Sequence, residues 1–376
     1  MLKIKLVKNT LLDIISAVNQ ICPKKSDLSI LNFFKLEAKN DEIFIYSSDL
    51  EISYVAKLSG KIEKEGEVLI PAKQFYEIIQ NFFEDTIELE EKENILIIKG
   101  ENSFSNLPGI SKEEFIVIPE YKTDEYIEID NEMFENYLTK LYTNIKTAEV
   151  IKPEFAGVYF WLDDKFLRLV TTDTIRLSEV KIKKELIITN LKEDIKILIP
   201  GKIIHEYLRI KKKPIKLKIY IEPNQVTFDL ENQILISKLL TIEFPDYQQV
   251  IPKDFNIIIN FSKDEAIKAL KLNRVFLDQS KELKLKLYKE NNIIEFYTKN
   301  ELLGESKNNI KADFEKCDID NEIEFSFNFD FFVDGIKSID SDKIFLGLNI
   351  PDEVSVKPAL FKSPLEDDLI YILIPL

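Results

Sequence analysis

Three stretches decide the fold: KIKLVKNTLLDIISAVNQI (Lys3–Ile21), YIEIDNEMFENYLTKLYTNI (Tyr126–Ile145) and NIIINFSKDEAIKALKLNRV (Asn256–Val275). Each opens on a short strand and passes into an amphipathic helix. In the first, Leu11, Ile14, Ile15 and Val18 recur at helical spacing, and Thr10 with Asp13 reads as a capping box. In the second the stripe is Phe134, Leu138, Leu141 and Ile145. In the third, Ser262 and Glu265 supply the box ahead of Ile267 and Leu270.

The segments downstream of these helices repeat as well. FFKLEAKNDEIFIYSSD (Phe33–Asp49), GVYFWLDDKFLRLVTTD (Gly157–Asp173) and LKLKLYKENNIIEFYTKN (Leu283–Asn300) read as hairpins turning at Asn40-Asp41, Asp163-Asp164 and Asn291-Asn292. A second strand and helix come next: VLIPAKQFYEII (Val68–Ile79), ILIPGKIIHEYL (Ile197–Leu208) and FSFNFDFFVDGI (Phe325–Ile336). Pro71 and Pro200 suit helix openings, where a missing amide hydrogen costs little. Phe75, Ile78, Ile79 and Phe82 form the apolar face of the first of these helices. Alternating strands such as IELEEKENILIIKG (Ile87–Gly100) and IKLKIYIEPNQVTFDL (Ile215–Leu230) close the pattern. The chain reads as α+β, with three similar domains at 1–122, 123–253 and 254–376, each holding two strand-helix-strands units. Joins are expected near Pro119–Asp124 and Pro252–Phe255.

The totals exclude more than they assign. A chain of 376 residues, 45% hydrophobic and 31% charged, is too long for one compact core and has a globular composition. Cys22 and Cys317 have no metal-type or redox-type spacing, which points to buried thiols in a reducing compartment. Asp13, Asn19 and Gln20 interrupt any apolar core after MLKIKLVKN, and no run reaches the ~20 apolar residues that span a bilayer. A cytoplasmic protein is expected. His205 is the one histidine, and GxGxxG, P-loop and HExxH patterns are absent. Asp163-Asp164 and Asp367-Asp368 read as solvated carboxylates rather than metal ligands, against a metal-dependent hydrolase or transferase. No catalysis, cofactor or metal is expected.

The net charge is −15, yet basic residues gather on or beside the helices. They are Lys24 and Lys25, Lys73, Lys140 and Lys146, Lys202 and Arg209 with Lys211 to Lys213, then Lys263, Lys268, Lys271 and Arg274, and Lys337. Acidic residues crowd strands and loops, as in IELEEKEN and SPLEDD. Helices sharing one side would present a surface that binds phosphates without reading sequence, weakening steeply with salt. That feature separates a nucleic-acid partner from a scaffold binding only proteins.

Three tandem domains of this build resemble the bacterial sliding clamp family, the beta subunit of DNA polymerase III, over the whole chain. The stretches that carry the likeness are TTDTIRLSEV (Thr171–Val180), SKLLTIEFPDYQQVIPK (Ser237–Lys253) and the terminal YILIPL (Tyr371–Leu376). The resemblance implies a head-to-tail homodimer closing a ring around double-stranded DNA. Lys24, Lys25, Lys73, Lys140, Lys146, Lys202, Arg209, Lys268, Lys271, Arg274 and Lys337 would face the DNA. Phe104, Phe276 and Leu277 would fall at the ring joint. It further implies a pocket that receives short motifs from the DNA polymerase III catalytic subunit, the clamp loader, and other polymerases and repair proteins. Carried over by position, that pocket includes Phe155, Thr172, Thr174, Ile175, Arg176, Leu177, Pro245, Val250, Ile372, Leu373, Ile374, Pro375 and Leu376. Arg176 would be at hand for a polar group of the ligand. Thr174 and Ile175 stand where the family commonly has Gly-His, a bulkier and less polar wall. Gln248 and Gln249 replace residues that are often basic, and the tail stops at Leu376 rather than running on to a basic residue. Tyr371 and Ile372 are expected to finish the last strand, and Leu373 to Leu376 to continue as pocket wall.

Overall fold

The structure is a computed structural model describing residues 2–23, 27–110, 115–152, 155–318, 322–350 and 357–376. The first third runs β1 (Lys3–Val7), α1 (Lys8–Ile21), β2 (Phe33–Lys39), β3 (Glu42–Ser48), β4 (Ile52–Leu58), β5 (Gly60–Lys64) and β6 (Gly66–Pro71). It continues with α2 (Ala72–Asn81), β7 (Thr86–Lys92), β8 (Ile95–Lys99) and β9 (Phe104–Pro108). The second third has β10 (Tyr126–Asp130), α3 (Asn131–Ile151), β11 (Gly157–Leu162), β12 (Phe166–Thr172), β13 (Arg176–Lys183), β14 (Ile187–Thr189) and β15 (Ile195–Pro200). After these come α4 (Gly201–Arg209), β16 (Lys216–Ile221), β17 (Gln225–Asp229) and β18 (Gln233–Lys238). The last third has β19 (Ile257–Ser262), α5 (Lys263–Asn273), β20 (Glu282–Tyr288), β21 (Ile293–Asn300), β22 (Gly304–Cys317) and β23 (Glu322–Asn328). It ends with α6 (Phe329–Ser338), β24 (Lys343–Leu348), β25 (Ala359–Lys362) and β26 (Leu369–Leu373). The same order occurs three times; β22 does in one long strand what β4 with β5, and β13 with β14, do in two.

Compactness divides the chain into two units, residues 1–138, 185–193 and 199–240, and residues 139–184, 194–198 and 241–376. The cause is strand pairing across repeats. In the first unit β18 pairs antiparallel with β4, from Gln233 opposite Ala56 to Ser237 opposite Ile52, within a nine-stranded sheet ordered β14-β10-β16-β17-β18-β4-β3-β2-β6. The buried Tyr54 hydroxyl donates to Gln233 Oε1 across that seam at 2.6 Å. A five-stranded sheet, β5-β1-β7-β8-β9, completes the unit's strands, and α1 packs against α2 and α4.

Local chemistry explains where the helices begin. α1 starts at Lys8, with Val7 before it and no side-chain cap, so the Thr10–Asp13 box is not formed. The strand feeds straight into the helix, the Lys8 amide donates to Asp85 O at 2.7 Å, and Asp13 pairs with Lys212 at 3.1 Å. Ser262, by contrast, caps α5 by accepting from the Glu265 amide at 3.4 Å. Pro71 and Pro200 stand immediately before α2 and α4. Phe75 and Ile79 of α2 and Phe82 just beyond it are buried, while Ile78 is half-buried. Asn40 and Asp41 are both left-handed, φ 51° and 60°, as a two-residue hairpin turn requires.

The second unit holds one twelve-stranded sheet, β15-β11-β12-β13-β26-β25-β24-β19-β22-β21-β20-β23. Here β13 pairs with β26, from Arg176 opposite Leu373 to Val180 opposite Leu369. α6 lies close over that seam because Gly335 leaves room: a Cβ there would meet the Tyr371 ring at 2.7 Å. Tyr371 is fully buried and its hydroxyl donates to Phe331 O at 2.8 Å.

Candidate functional site

The second unit contains a cavity of about 760 Å³. One wall is the segment Phe244–Val250, fixed by its aromatic residues. Phe244 stacks on Tyr159 of β11, centroids 4.6 Å apart and 6° between planes, and meets Phe155 edge-on at 6.0 Å. Tyr247 sets its edge against Trp161, and its buried hydroxyl donates to Glu179 Oε1 at 2.6 Å. Burial, then the bond to Glu179, raises the Tyr247 pKa, keeping it a donor. Pinning Phe244 and Tyr247 leaves Pro245 and Val250 exposed along the cavity.

The turn between β12 and β13 makes a second wall. Asp173 Oδ1 accepts from the amides of Ile175 at 3.1 Å and Arg176 at 2.9 Å. Thr172 Oγ1 accepts from the Thr174 amide at 3.1 Å and donates to Arg176 O at 2.9 Å. This turn puts Thr174 at φ 75°, left-handed backbone that disfavours a β-branched residue. The chain end supplies the third wall, where the Ile374 amide donates to Ile175 O at 3.0 Å.

Phe155, Thr172, Thr174, Ile175, Arg176, Leu177, Pro245, Val250, Ile372 and Ile374 all border this one cavity. Leu373, Pro375 and Leu376 do not line it. β26 runs to Leu373, one residue beyond the expected end, so alternation turns Ile372 and Ile374 to the cavity and Leu373, fully buried, to the core. The Leu376 amide donates to Ser326 O at 2.8 Å, fastening the terminus to β23.

Arg176 also departs from expectation. Its side chain is 2% exposed and paired with Asp173 at 2.8 Å and Asp334 at 2.7 Å. It further donates to Thr143 O at 3.1 Å and Thr147 Oγ1 at 2.8 Å, with the Phe331 ring 4.0 Å from its centre. The guanidinium ties α3 to α6 and is not at hand for a ligand. Sequence reasoning missed Ile251, Pro252, Phe255, Asn256, Lys316 and Lys357, which also line the cavity. A signal existed for two of them: Val250-Ile251-Pro252 repeats Val117-Ile118-Pro119 at the preceding join. None existed for Lys316, which donates to Phe255 O at 2.6 Å and reaches the rim only through the pairing of β22 with β19.

The described helix-borne basic residues divide into three groups. Lys140 is 12% exposed and paired with Asp340, and Lys202 is paired with Asp49 at 2.5 Å and Glu51 at 2.6 Å. Both charges are neutralised within their own units, against the expectation for them. Lys73, Lys268 and Arg274 are exposed with acidic neighbours at 4.0, 2.6 and 3.4 Å. Lys146, Arg209, Lys271 and Lys337 are exposed. Lys24 and Lys25 lie outside the described residues. Phe104 is 63% exposed on β9, whereas Phe276 and Leu277 are half-buried.

The remaining candidates for chemistry are structural. Asp163 accepts from the Lys165 and Phe166 amides, both at 2.8 Å, and pairs with Arg168; Asp367 pairs with Lys362 at 2.5 Å. Cys22 is buried, which pushes its thiol up to about 12, while Cys317 is half-exposed. His205 lies 3.1 Å from the Glu206 carboxylate, and burial raises the Glu206 pKa. No group of three or more His, Cys, Asp or Glu suited to a metal occurs among the described residues, and no helix there is long and apolar enough to cross a membrane.

Three consecutive segments match the N-terminal, central and C-terminal domains of the DNA polymerase III beta subunit, at residues 2–119, 128–246 and 248–376. The chain belongs to the DNA polymerase III beta subunit family. Among beta subunits it is 25% identical to the beta sliding clamp of Staphylococcus epidermidis, covering 98% of this chain and 96% of that one. The crystal structure of the Thermotoga maritima beta subunit superimposes with a TM-score of 0.88 at 21% identity, over 100% of this chain and 99% of that one. A Pseudomonas aeruginosa clamp solved bound to griselimycin gives 0.88 at 18% identity, over 100% and 99% of the two chains.

Proposed function

We propose that the chain is a processivity clamp without catalysis of its own: two copies close head to tail into a ring around double-stranded DNA in the cytoplasm. Its three domains are 1–122, 123–253 and 254–376. The cavity beside β13 and β26 tethers the DNA polymerase III catalytic subunit, the clamp loader, and other polymerases and repair proteins through short motifs. An extended peptide with apolar side chains suits walls made of Thr174, Ile175, Leu177, Val250, Ile372 and Ile374. A Pseudomonas aeruginosa clamp of the same fold is bound to griselimycin, which supports ligand binding by a protein of this build.

The observation that carries the ring is strand pairing used twice and left open at both ends. The fourth strand of one repeat pairs with the last strand of the next, β4 with β18 and β13 with β26. By the same rule the outer edge of β22 from Gly304 to Ile310 calls for a partner like β9, which pairs only with β8 among the described strands. Complementary open edges at opposite ends of a chain are met by a second copy, and a heterologous contact of this kind closes a ring when the rotation permits. Lys146, Arg209, Lys271 and Lys337 are the cations best placed to meet phosphates, because no ion pair commits them among the described residues.

The test is topological. Loaded by its clamp loader onto nicked circular DNA, the protein is retained on the circle and lost once the DNA is linearised. Equal retention on both forms would overturn encirclement. For the cavity, Ile374→Asp abolishes binding of a polymerase-derived motif peptide and leaves the melting temperature in place; unchanged affinity would remove the cavity from the reading.

A further inference from the structure

We propose that Leu302 and Leu303, at the tip of the β21–β22 hairpin, are an apolar latch of the joint between two copies of this chain. The latch rests on the ring reading and adds the residues that close it. One loop is used three times in the chain. Asp49 accepts from the amides of Glu51 at 3.0 Å and Ile52 at 2.8 Å, and Asp173 does the same for Ile175 and Arg176. Asn300 accepts from Leu302 at 3.0 Å and Leu303 at 3.1 Å. In the first two tips the backbone joins the seam to the next repeat. Lys238 N donates to Glu51 O at 3.3 Å, and Ile374 N donates to Ile175 O at 3.0 Å. The third tip flanks the open edge of β22, so the seam it would join belongs to the second copy.

This tip differs from the others in a way that suits a joint. Four residues separate Ser48 from Ser53 and Thr172 from Leu177, the pairs just outside the first two Asx positions, whereas five separate Lys299 from Glu305 just outside the third, where Asn300 and Gly304 pair as well. The longer tip shows two leucines to water, Leu302 95% exposed and Leu303 63%. It is also held in place. Asn300 Nδ2 donates to Leu277 O at 3.0 Å, and Gly304, at φ 104°, takes a conformation open to glycine and brings the strand beside Phe276. An ordered tip displaying leucine is costly in a protein that never covers it.

A matching surface lies at the opposite open edge. On β7 the outer face carries Glu88 and Glu90, the polar choice expected of a solvated face. Beside the β9 edge the same face becomes more apolar, with Ile95, Ile97, Phe104 and Pro108 along β8 and β9, although Lys99 stands opposite Phe104 and Asn106 opposite Ile97. Ile95 is 39% and Phe104 63% exposed. These apolar residues lie on the two strands next to the unpaired edge, where a second copy's tip arrives.

The full chain is compared by sedimentation equilibrium as wild type, as Leu302→Ser/Leu303→Ser and as Phe104→Asp. The leucine double variant weakens the dimer roughly 100-fold, as expected from removing two buried side chains, with the melting temperature of the diluted monomer unchanged. A dimer constant within threefold of wild type overturns the latch. Phe104→Asp separates the two ideas: if it yields monomers while the leucine variant stays dimeric, the latch alone is wrong. If both variants stay dimeric, the joint at β9 is wrong as well.

Discussion

Replacing Arg176 by Met separates a structural staple from a ligand handle. The substitution keeps an unbranched side chain of similar reach, and removes a charge that is 2% exposed and held by Asp173, Asp334, Thr143 and Thr147. Asp173 is wholly buried, so the change leaves a carboxylate in the interior with only the Ile175 and Arg176 amides for company. Breaking a buried pair from one side costs about 3–5 kcal/mol, mostly the uncompensated charge. For a unit of this size that lowers the melting temperature by about 6–20 °C. Urea unfolding followed by circular dichroism measures the loss. The double variant Asp173→Asn/Arg176→Met recovers part of it, because the stranded carboxylate is gone. A staple loses stability first and peptide affinity only through the distorted Thr174–Ile175 turn. A loss below about 1 kcal/mol, with peptide binding abolished, would refute the staple role of Arg176.

Three further outcomes each rest on a single observation. Thr174→Gly relieves left-handed backbone and is expected to stabilise by up to about 1 kcal/mol, despite glycine's greater freedom when unfolded; a melting temperature lower by several degrees argues against the strain. Burial raises the Glu206 pKa, so its contribution is fully present below the ordinary carboxylate value near 4.5 and is lost as pH rises through the raised folded value. Glu206→Gln should therefore raise the melting temperature at pH 8 and not at pH 4, and an equal change at both would exclude the mechanism. In native protein a thiol reagent at pH 8 should modify Cys317 quickly and leave Cys22, pushed up to about 12 and buried, unreacted until unfolding. Two fast thiols would contradict that burial.

Period and spacing carried the element order, because alternating and helical patterns reflect burial that each segment imposes on itself. Spacing alone could not place the α1 cap, since the first amide of that helix is satisfied by Asp85, far away in sequence. It also could not show that the compact units cut across the repeats, because the seams pair strands such as β4 and β18 that lie well apart in the chain. At the cavity, the positions carried over by resemblance mark where the backbone goes. They do not say which way a side chain turns. Leu373 went to the core by strand alternation, and Arg176 went inward because Asp334 and Thr147 meet it there. The same limit applied to the lysines: proximity to a helix was legible, and the carboxylates that neutralise Lys140 and Lys202 were not.

The three Asx-closed tips show how one loop serves different ends once its neighbours diverge. At the first, Lys202 bridges Asp49 and Glu51, so the tip is tied down by charge. At the second, Asp173 pairs inward with Arg176 and an isoleucine, Ile175, stands where the first tip has Glu51, so Thr174 and Ile175 remain as cavity wall. At the third, an extra residue and two leucines replace both solutions at an edge that pairs with nothing among the described strands. Backbone geometry set by Asp49, Asp173 and Asn300 is common to all three, so the differences in chemistry reside in the two or three residues after the Asx position. Exchanging the Thr174–Ile175 dipeptide for Leu50–Glu51 should therefore preserve the turn, since Leu50 already holds φ 75° as Thr174 does. The exchange puts a carboxylate without its lysine into the cavity wall. Motif peptides should then bind at least about tenfold more weakly with the fold intact, a difference of roughly 1.4 kcal/mol. A chimera that binds as tightly as wild type would mean that these side chains do not determine what the cavity accepts.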